Sequence, residues 1–168
     1  MNYCKIRDND IANGTGIRVT LFVSGCRNHC KNCFQPETWD FDYGHPFTRR
    51  VWFKIFNMVN RPYIAGLSIL GGEPFEPENQ KELVRFLRQF KNVFPEKNVW
   101  CYTGFTIEEL LCGEGRCCTE YTEELLSYID ILVDGRFVED LQDVSLKFRG
   151  SSNQRILNLK EKNYGLGE

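Results

Sequence analysis

Cys26, Cys30 and Cys33 fall within eight residues of one another in SGCRNHCKNCF, residues 24–34. Three thiolates that close are soft-metal ligands, and their number matters. A closed structural zinc site takes four ligands, so a zinc reading needs His29 or a distant thiol as the fourth. The same Cys-x3-Cys-x2-Cys spacing can hold three irons of a [4Fe–4S] cubane and leave the fourth iron without a protein ligand. An iron with an open position is a reactive site, whereas a fully ligated cluster stores or passes electrons. The residues alone leave both readings open; a plain electron-transfer ferredoxin fits less well, since one cysteine ligand is missing. A second segment with chemical potential is GGEP, Gly71–Pro74. Paired glycines let a backbone approach a ligand closely, although they also serve a simple strand-to-helix turn. Glu73 is expected as an acidic charge at the start of the following helix.

The elements that must position these segments can be read from periodicity. Gly16–Gly25 is β-branched and aromatic and reads as a strand that stops where the cysteine loop begins. Residues 49–60 place Val51, Trp52, Ile55, Phe56 and Val59 at helical spacing. Gly66–Leu70 is a short buried strand ended by Gly71-Gly72. Residues 78–90 form an amphipathic helix with Leu83, Phe86, Leu87 and Phe90 on one side. Asn98–Gly104 and Ile129–Gly135 are further strands, and 106–111 and 122–128 are short helices. Strands alternating with helices predict an α/β fold with a mainly parallel sheet and flanking helices. The chain is too short for eight strands, so a partial (β/α) barrel or an open curved sheet is expected. Ligands in such folds gather at the carboxyl ends of strands. The cysteine loop, GGEP, YTGF (residues 102–105) and VDGRF (residues 133–137) all fall there.

Composition narrows the class. At 168 residues with 26% charged side chains, the chain suits one domain, 1–168, with a loose tail at 160–168. A formal charge of −2 gives no basis for nucleic-acid binding. No apolar run can span a bilayer and MNYCKIRDND lacks the apolar core of a secretory signal, so the expected location is the cytoplasm, with no membrane partner. Eight cysteines in such a chain speak for metal or redox use rather than a disulfide framework. Cys4 and Cys101 are expected to be ordinary thiols, and Cys112, Cys117 and Cys118 to lie in an exposed loop. His29 and His45 have no expected role.

With these residues in view, the sequence resembles the radical S-adenosylmethionine (SAM) superfamily, through the Cys26, Cys30, Cys33 spacing and GGEP. Residues 13–39, NGTGIRVTLFVSGCRNHCKNCFQPETW, are similar to the start of glycyl-radical-enzyme activases, in which Asn/Asp-Gly-Pro-Gly-x-Arg leads into the cluster loop. VDGRF, DVSLKFRGSSNQRI (residues 143–156) and the short length resemble one branch of these, the activating proteins of anaerobic ribonucleoside-triphosphate reductases. The similarity covers about Ile6 to Ile156, and RGSSNQR (Arg149–Arg155) is its most branch-specific stretch.

The resemblance implies a radical-SAM-type fold and a [4Fe–4S] cluster held by Cys26, Cys30 and Cys33. It also implies that Asn32, Cys33, Phe34 and Gly72 border SAM. The implied activity is reductive SAM cleavage. The resulting 5′-deoxyadenosyl radical then takes hydrogen from a glycine in the large subunit of the reductase, under anaerobic conditions. A one-electron donor such as flavodoxin is a further implied partner, and Arg149 is expected to organise the face where the partner's loop meets the cofactor. An activase for another glycyl-radical enzyme, of the pyruvate formate-lyase type, is the neighbouring alternative. Four departures stand out. Thr15 replaces the usual proline, which should loosen that turn. Asn32 replaces the aromatic of the wider superfamily, with Phe34 taking that place after the last cysteine. Glu73 stands where aspartate is frequent, and Cys112–Cys118 has no counterpart.

Overall fold

The computed structural model describes residues 1–161. The chain runs β1 (Asn2–Asp10), β2 (Ile17–Val23), a 3-10 turn (Pro36–Trp39), β3 (His45–Pro46), α1 (Arg49–Val59), β4 (Ile64–Gly71) and α2 (Pro77–Val93). It continues with β5 (Asn98–Tyr102), α3 (Ile107–Leu111), α4 (Thr122–Ser127), β6 (Ile131–Asp134), a second 3-10 turn (Glu139–Leu141) and β7 (Arg155–Asn158). The strands form one sheet in the order β3-β1-β2-β4-β5-β6-β7. Its centre, β2-β4-β5-β6, is parallel, as the alternation of strands and helices predicts. The flanks are antiparallel: β1 on β2, β3 on β1, and β7 on β6. The sheet is open, with β3 and β7 as its edges.

The interior alternation of the strands sorts their side chains between two faces. Val19, Leu21 and Val23 of β2, Leu67 and Ile69 of β4, Val99 and Cys101 of β5 and Leu132 of β6 join the helices in one core. Trp52, Ile55, Phe56 and Val59 of α1 and Leu83, Phe86, Leu87 and Phe90 of α2 supply its other side. These are the residues that helical spacing singles out. Several aromatic rings lock the two helices together, with Phe86 5.1 Å from Phe47 and 5.8 Å from Phe56. Phe22, Leu70 and Tyr102 point the other way, into a cleft. Among the described residues no helix lines that cleft; the loops around residues 12–13 and 137–154 do.

Some expectations need correction. β1 and β7 are absent from the periodicity reading because NYCKIRDND and RILN lack a clean apolar alternation. They are flanking strands whose pairing partners, not their own side chains, make them strands. Asn98–Gly104 ends as strand at Tyr102, and Thr103 and Gly104 turn into the site. The loose tail expected at 160–168 falls mostly outside the described residues. Of its described residues, Lys160 donates from Nζ to Ser127 O at 3.0 Å. Among the described residues no helix is long and apolar enough to cross a membrane.

Candidate active site

Strand β2 ends at Val23, and the chain leaves the sheet through Ser24 and Gly25. Gly25 holds φ +94°, and a Cβ there would meet the Phe41 ring at 2.3 Å, so this exit requires glycine. Backbone bonds pin the departure: Ser24 N donates to Asn2 O (3.0 Å), Gly25 N to Thr38 O (2.8 Å) and Cys26 N to Trp39 O (3.2 Å). β4 ends alongside. Gly72 N donates to Val23 O and Glu73 N to Gly25 O, each at 2.8 Å. A Cβ on Gly72 would lie 2.6 Å from Gly25 O. The two glycine segments thus pack backbone on backbone, which brings the cysteine loop and GGEP to the same place.

That place is a cleft of about 550 Å³ over the carboxyl ends of the parallel strands, a size suited to a small-molecule cofactor. Cys26, Cys30 and Cys33 all line it, with Phe34, Gly72 and Arg149. All three cysteines are free. Burial pushes the Cys26 thiol up to about 12 and also raises Cys30. A bound metal centre would reverse that preference, because a coordinating thiol is deprotonated outright. Two further groups in the cleft lack partners: the Tyr102 hydroxyl and the Trp39 indole N–H are buried without a hydrogen bond. Among the described residues no group of three His, Cys, Asp or Glu side chains is gathered as a single ion would need. Three soft thiols, unspent donors and close-packed glycines lining one cleft fit an iron–sulfur cluster.

Asn32 stands apart from the other expected SAM neighbours. It adopts φ +54° on the rim, and its side chain donates to Glu139 while Lys31 Nζ lies 2.8 Å from the same carboxylate. It is not among the residues lining the cleft. Phe34 is, with its ring 5.1 Å from that of Phe137. His29 stacks on Trp39 at 4.4 Å, and His45 sits in β3, which pairs with β1.

Two buried carboxylates hold the cysteine loop, and neither was legible as such from sequence. Glu73, 1% exposed, is not a helix-start charge, since α2 begins at Pro77. Its Oε1 accepts from Phe75 N (2.9 Å) and Thr103 Oγ1 (2.7 Å), and its Oε2 from Gly104 N (2.7 Å) and Asn28 Nδ2 (2.9 Å). One side chain therefore ties three of the segments at the strand ends. Burial outweighs these donors and raises its pKa to about 7. Glu76, fully buried, accepts Arg27 N at 2.8 Å and Arg27 Nη1 at 2.7 Å. The signal for both was the run EPFEPE, three acids too close to an apolar strand to be ordinary surface.

Arg18 is a further buried charge. It is 0% exposed and donates to Ser68 Oγ, Leu67 O, Asn98 O and Thr15 O at 2.7–3.2 Å, beneath the Trp100 ring. Desolvation brings its pKa down to about 10. Its bond to Thr15 O ties down the turn that lacks proline. The segment Cys112–Cys118 is also not a detached surface loop. Cys117 is 3% exposed, and its carbonyl accepts from Gln80 Nε2 (2.7 Å) and Thr122 Oγ1 (2.8 Å).

The stretch RGSSNQR folds on itself. Arg149 Nη1 donates to Gln154 O at 2.5 Å, and Gln154 Oε1 accepts from Gly150 N and Ser151 N. Gln154 Nε2 and Asn153 Nδ2 then reach Gly135 O and Arg136 O, which sets this loop as a lip over VDGRF. Arg155 anchors its end, bonding buried Asp134 and, on α3, Glu108.

Comparison with known proteins agrees with this geometry. A family model described as "4Fe-4S single cluster domain" matches residues 12–157. The anaerobic ribonucleoside-triphosphate reductase-activating protein of Escherichia coli K12 is 38% identical over 162 residues, covering 95% of this chain and all of the relative. That of Vibrio cholerae is 39% identical, over 93% of this chain and 97% of the relative. That of enterobacteria phage T4 is 35% identical, over 93% of each. With its cysteine loop, its glycine-lined cleft and this similarity from end to end, the chain belongs to the family of anaerobic ribonucleoside-triphosphate reductase-activating proteins.

Proposed function

We propose that the chain activates an anaerobic ribonucleoside-triphosphate reductase by generating a glycyl radical on that enzyme's large subunit, under anaerobic conditions. The observation that carries this reading is that three free cysteines, Gly72 and the lip at Arg149 open onto one cleft. Cys26, Cys30 and Cys33 would hold a [4Fe–4S] cluster, and Cys33, Phe34 and Gly72 would border SAM, with Asn32 on the rim. Bound there and reduced by a one-electron donor of the flavodoxin kind, the cluster and SAM would supply the radical chemistry by which a partner glycine loses its α-hydrogen.

The chain's own contribution is position and shelter. Glu73 and Glu76 hold the loop between the first two ligands through Asn28 and Arg27. The backbone contact of Gly72 with Gly25 keeps the two cofactor segments together. Phe22, Leu70 and Phe148 give the cleft apolar walls, which limit water around a reactive centre. A partner's loop would enter through the mouth of this cleft, beside the lip at Arg149.

The test is anaerobic reconstitution with iron and sulfide, followed by reductant and SAM, with and without the reductase. Formation of 5′-deoxyadenosine and a glycyl-radical resonance on the reductase is the expected result. Bound iron without SAM cleavage would overturn the radical reading while leaving the iron–sulfur assignment.

A further inference from the structure

The segment CGEGRCC, residues 112–118, holds three of the eight cysteines and lies outside the cleft just described. Cys112 caps α3. Gly113 and Gly115 then take φ +75° and +94° with open space around them, which folds the chain back on itself. Cys118 thereby returns to Cys112, and the two thiols share acceptors. Cys112 Sγ donates to Glu109 O at 3.1 Å and Glu114 O at 3.2 Å, and Cys118 Sγ to the same oxygens at 3.3 and 2.9 Å. Cys112 is exposed and Cys118 partly so. Cys117 is the poorer partner for Cys118, although their sulfurs lie 3.9 Å apart. Adjacent α-carbons are about 3.8 Å apart, below the usual disulfide range, and Cys117 is buried with its carbonyl held on α2 and α4.

Between the paired cysteines stands Arg116. Its Nη2 donates to Asn28 Oδ1 at 2.6 Å, its Nε lies 3.3 Å from Glu76 Oε1, and its guanidinium covers Phe105 at 5.1 Å. Asn28 sits between Cys26 and Cys30, and Glu76 is the carboxylate that holds Arg27. The thiol pair is therefore one side chain away from the cysteine loop.

We propose that Cys112 and Cys118 form a reversible disulfide by exchange with a low-molecular-weight disulfide such as oxidised glutathione, and that its closure loosens the hold of Arg116 on the cysteine loop. The exposed Cys112 thiolate attacks one glutathione sulfur; the glutathione S–S bond breaks and one glutathione thiol leaves. Cys118 then attacks the Cys112 sulfur of the mixed disulfide and displaces the second glutathione. Two protein thiols are oxidised, one external disulfide is reduced to two thiols, and the protons of Cys112 and Cys118 pass to the departing thiolates. Closure also removes the thiol hydrogen bonds to Glu109 O and Glu114 O that set the loop carrying Arg116. The coupling rests on Cys26, Cys30 and Cys33 being cluster ligands; the disulfide itself does not.

The test uses the full-length, iron-loaded protein, prepared anaerobically and exposed to oxidised glutathione before alkylation. Trypsin cuts after Arg116, so the disulfide is expected to join a peptide bearing Cys112 to one bearing Cys118. The link should persist in Cys117→Ala and vanish in Cys118→Ser and Cys112→Ser. Absence of the link, or its loss in folded Cys117→Ala, overturns the pairing. Iron release to a chelator should be severalfold faster in the oxidised protein than in the reduced one. Cys112→Ser should show no such response, and reduced Arg116→Ala should already release iron at the fast rate. Equal release rates from oxidised and reduced wild-type protein overturn the coupling, whereas failure of the protein to retain iron at all overturns the ligand assignment.

Discussion

Cys26, Cys30 and Cys33 share a loop but differ in burial, and the cluster reading requires all of them. Alanine at any one is expected to abolish stable iron binding, read as iron content and visible absorbance after reconstitution. Cys101→Ala should retain iron, since Cys101 sits in the core among the helices. Wild-type iron in all three loop variants would remove the assignment. Glu73 makes a different prediction, through pH. Its pKa is near 7 in the folded chain, raised from an ordinary 4.5 by burial. Below about pH 4.5 it is protonated in both states. Between there and pH 7 the unfolded chain sheds the proton while the folded chain keeps it, so stability falls as pH rises. Glu73→Gln lacks this slope, and its amide NH2 leaves the two donors that met one carboxylate oxygen without an acceptor, which lowers its baseline. From pH 4.5 to pH 8 the difference in unfolding free energy should therefore shift toward the variant by on the order of 3 kcal/mol. Urea unfolding of the metal-free proteins at both pH values measures it, and a constant difference would refute it.

At the scale of elements, the late part of the chain is held by few but well-placed contacts. Among the described residues β7 pairs only with β6, and Arg155 at its start bonds Asp134, which is 1% exposed and also accepts Ile107 N at 2.8 Å. The same guanidinium grips Glu108 on α3 and holds that exposed carboxyl down to about 2. Most of the energy resides in the Asp134 pairing, because the Glu108 pair is screened by solvent. Arg155→Ala leaves a buried carboxylate with one backbone donor and should cost about 2 kcal/mol. The urea midpoint should fall with an unchanged slope, and amide exchange should quicken in β7 before the parallel strands. An unaltered midpoint would show that the β6–β7 ladder needs no ionic anchor.

For the molecule as a whole, the open sheet divides labour between its faces. One face buries the aromatic and aliphatic core against α1 and α2, and the other gives its strand ends to the cleft and its lip. Arg149 lines that cleft, yet its Nη1 donates to Gln154 O within its own loop. Arg149→Ala is therefore expected to keep iron content and SAM cleavage near wild type while lowering the yield of glycyl radical on the reductase. Electron paramagnetic resonance of the mixture reports the radical, and absorbance reports the cluster. Undiminished activation would assign Arg149 to loop structure alone.

Features that depend on near neighbours along the chain are legible in the amino-acid sequence. The ligand spacing of Cys26, Cys30 and Cys33 lies within one loop, and the faces of α1 and α2 follow from positions three and four apart. The parallel strands announce themselves as short apolar runs stopped by glycine, and residues 13–39 and 143–156 carried the family resemblance. Features that depend on distant partners emerge only once the chain is folded. β1 and β7 are strands because β2 and β6 offer them hydrogen-bonding edges, which polar, irregular sequences do not reveal. Glu73, Glu76 and Arg18 are buried because donors or acceptors up to 80 positions away meet them. An isolated charge looks like surface until its partners are known, since only pairing makes its burial affordable. Arg116 reaches Asn28 across 88 positions, a contact set by where α3 ends and how two glycines turn the chain.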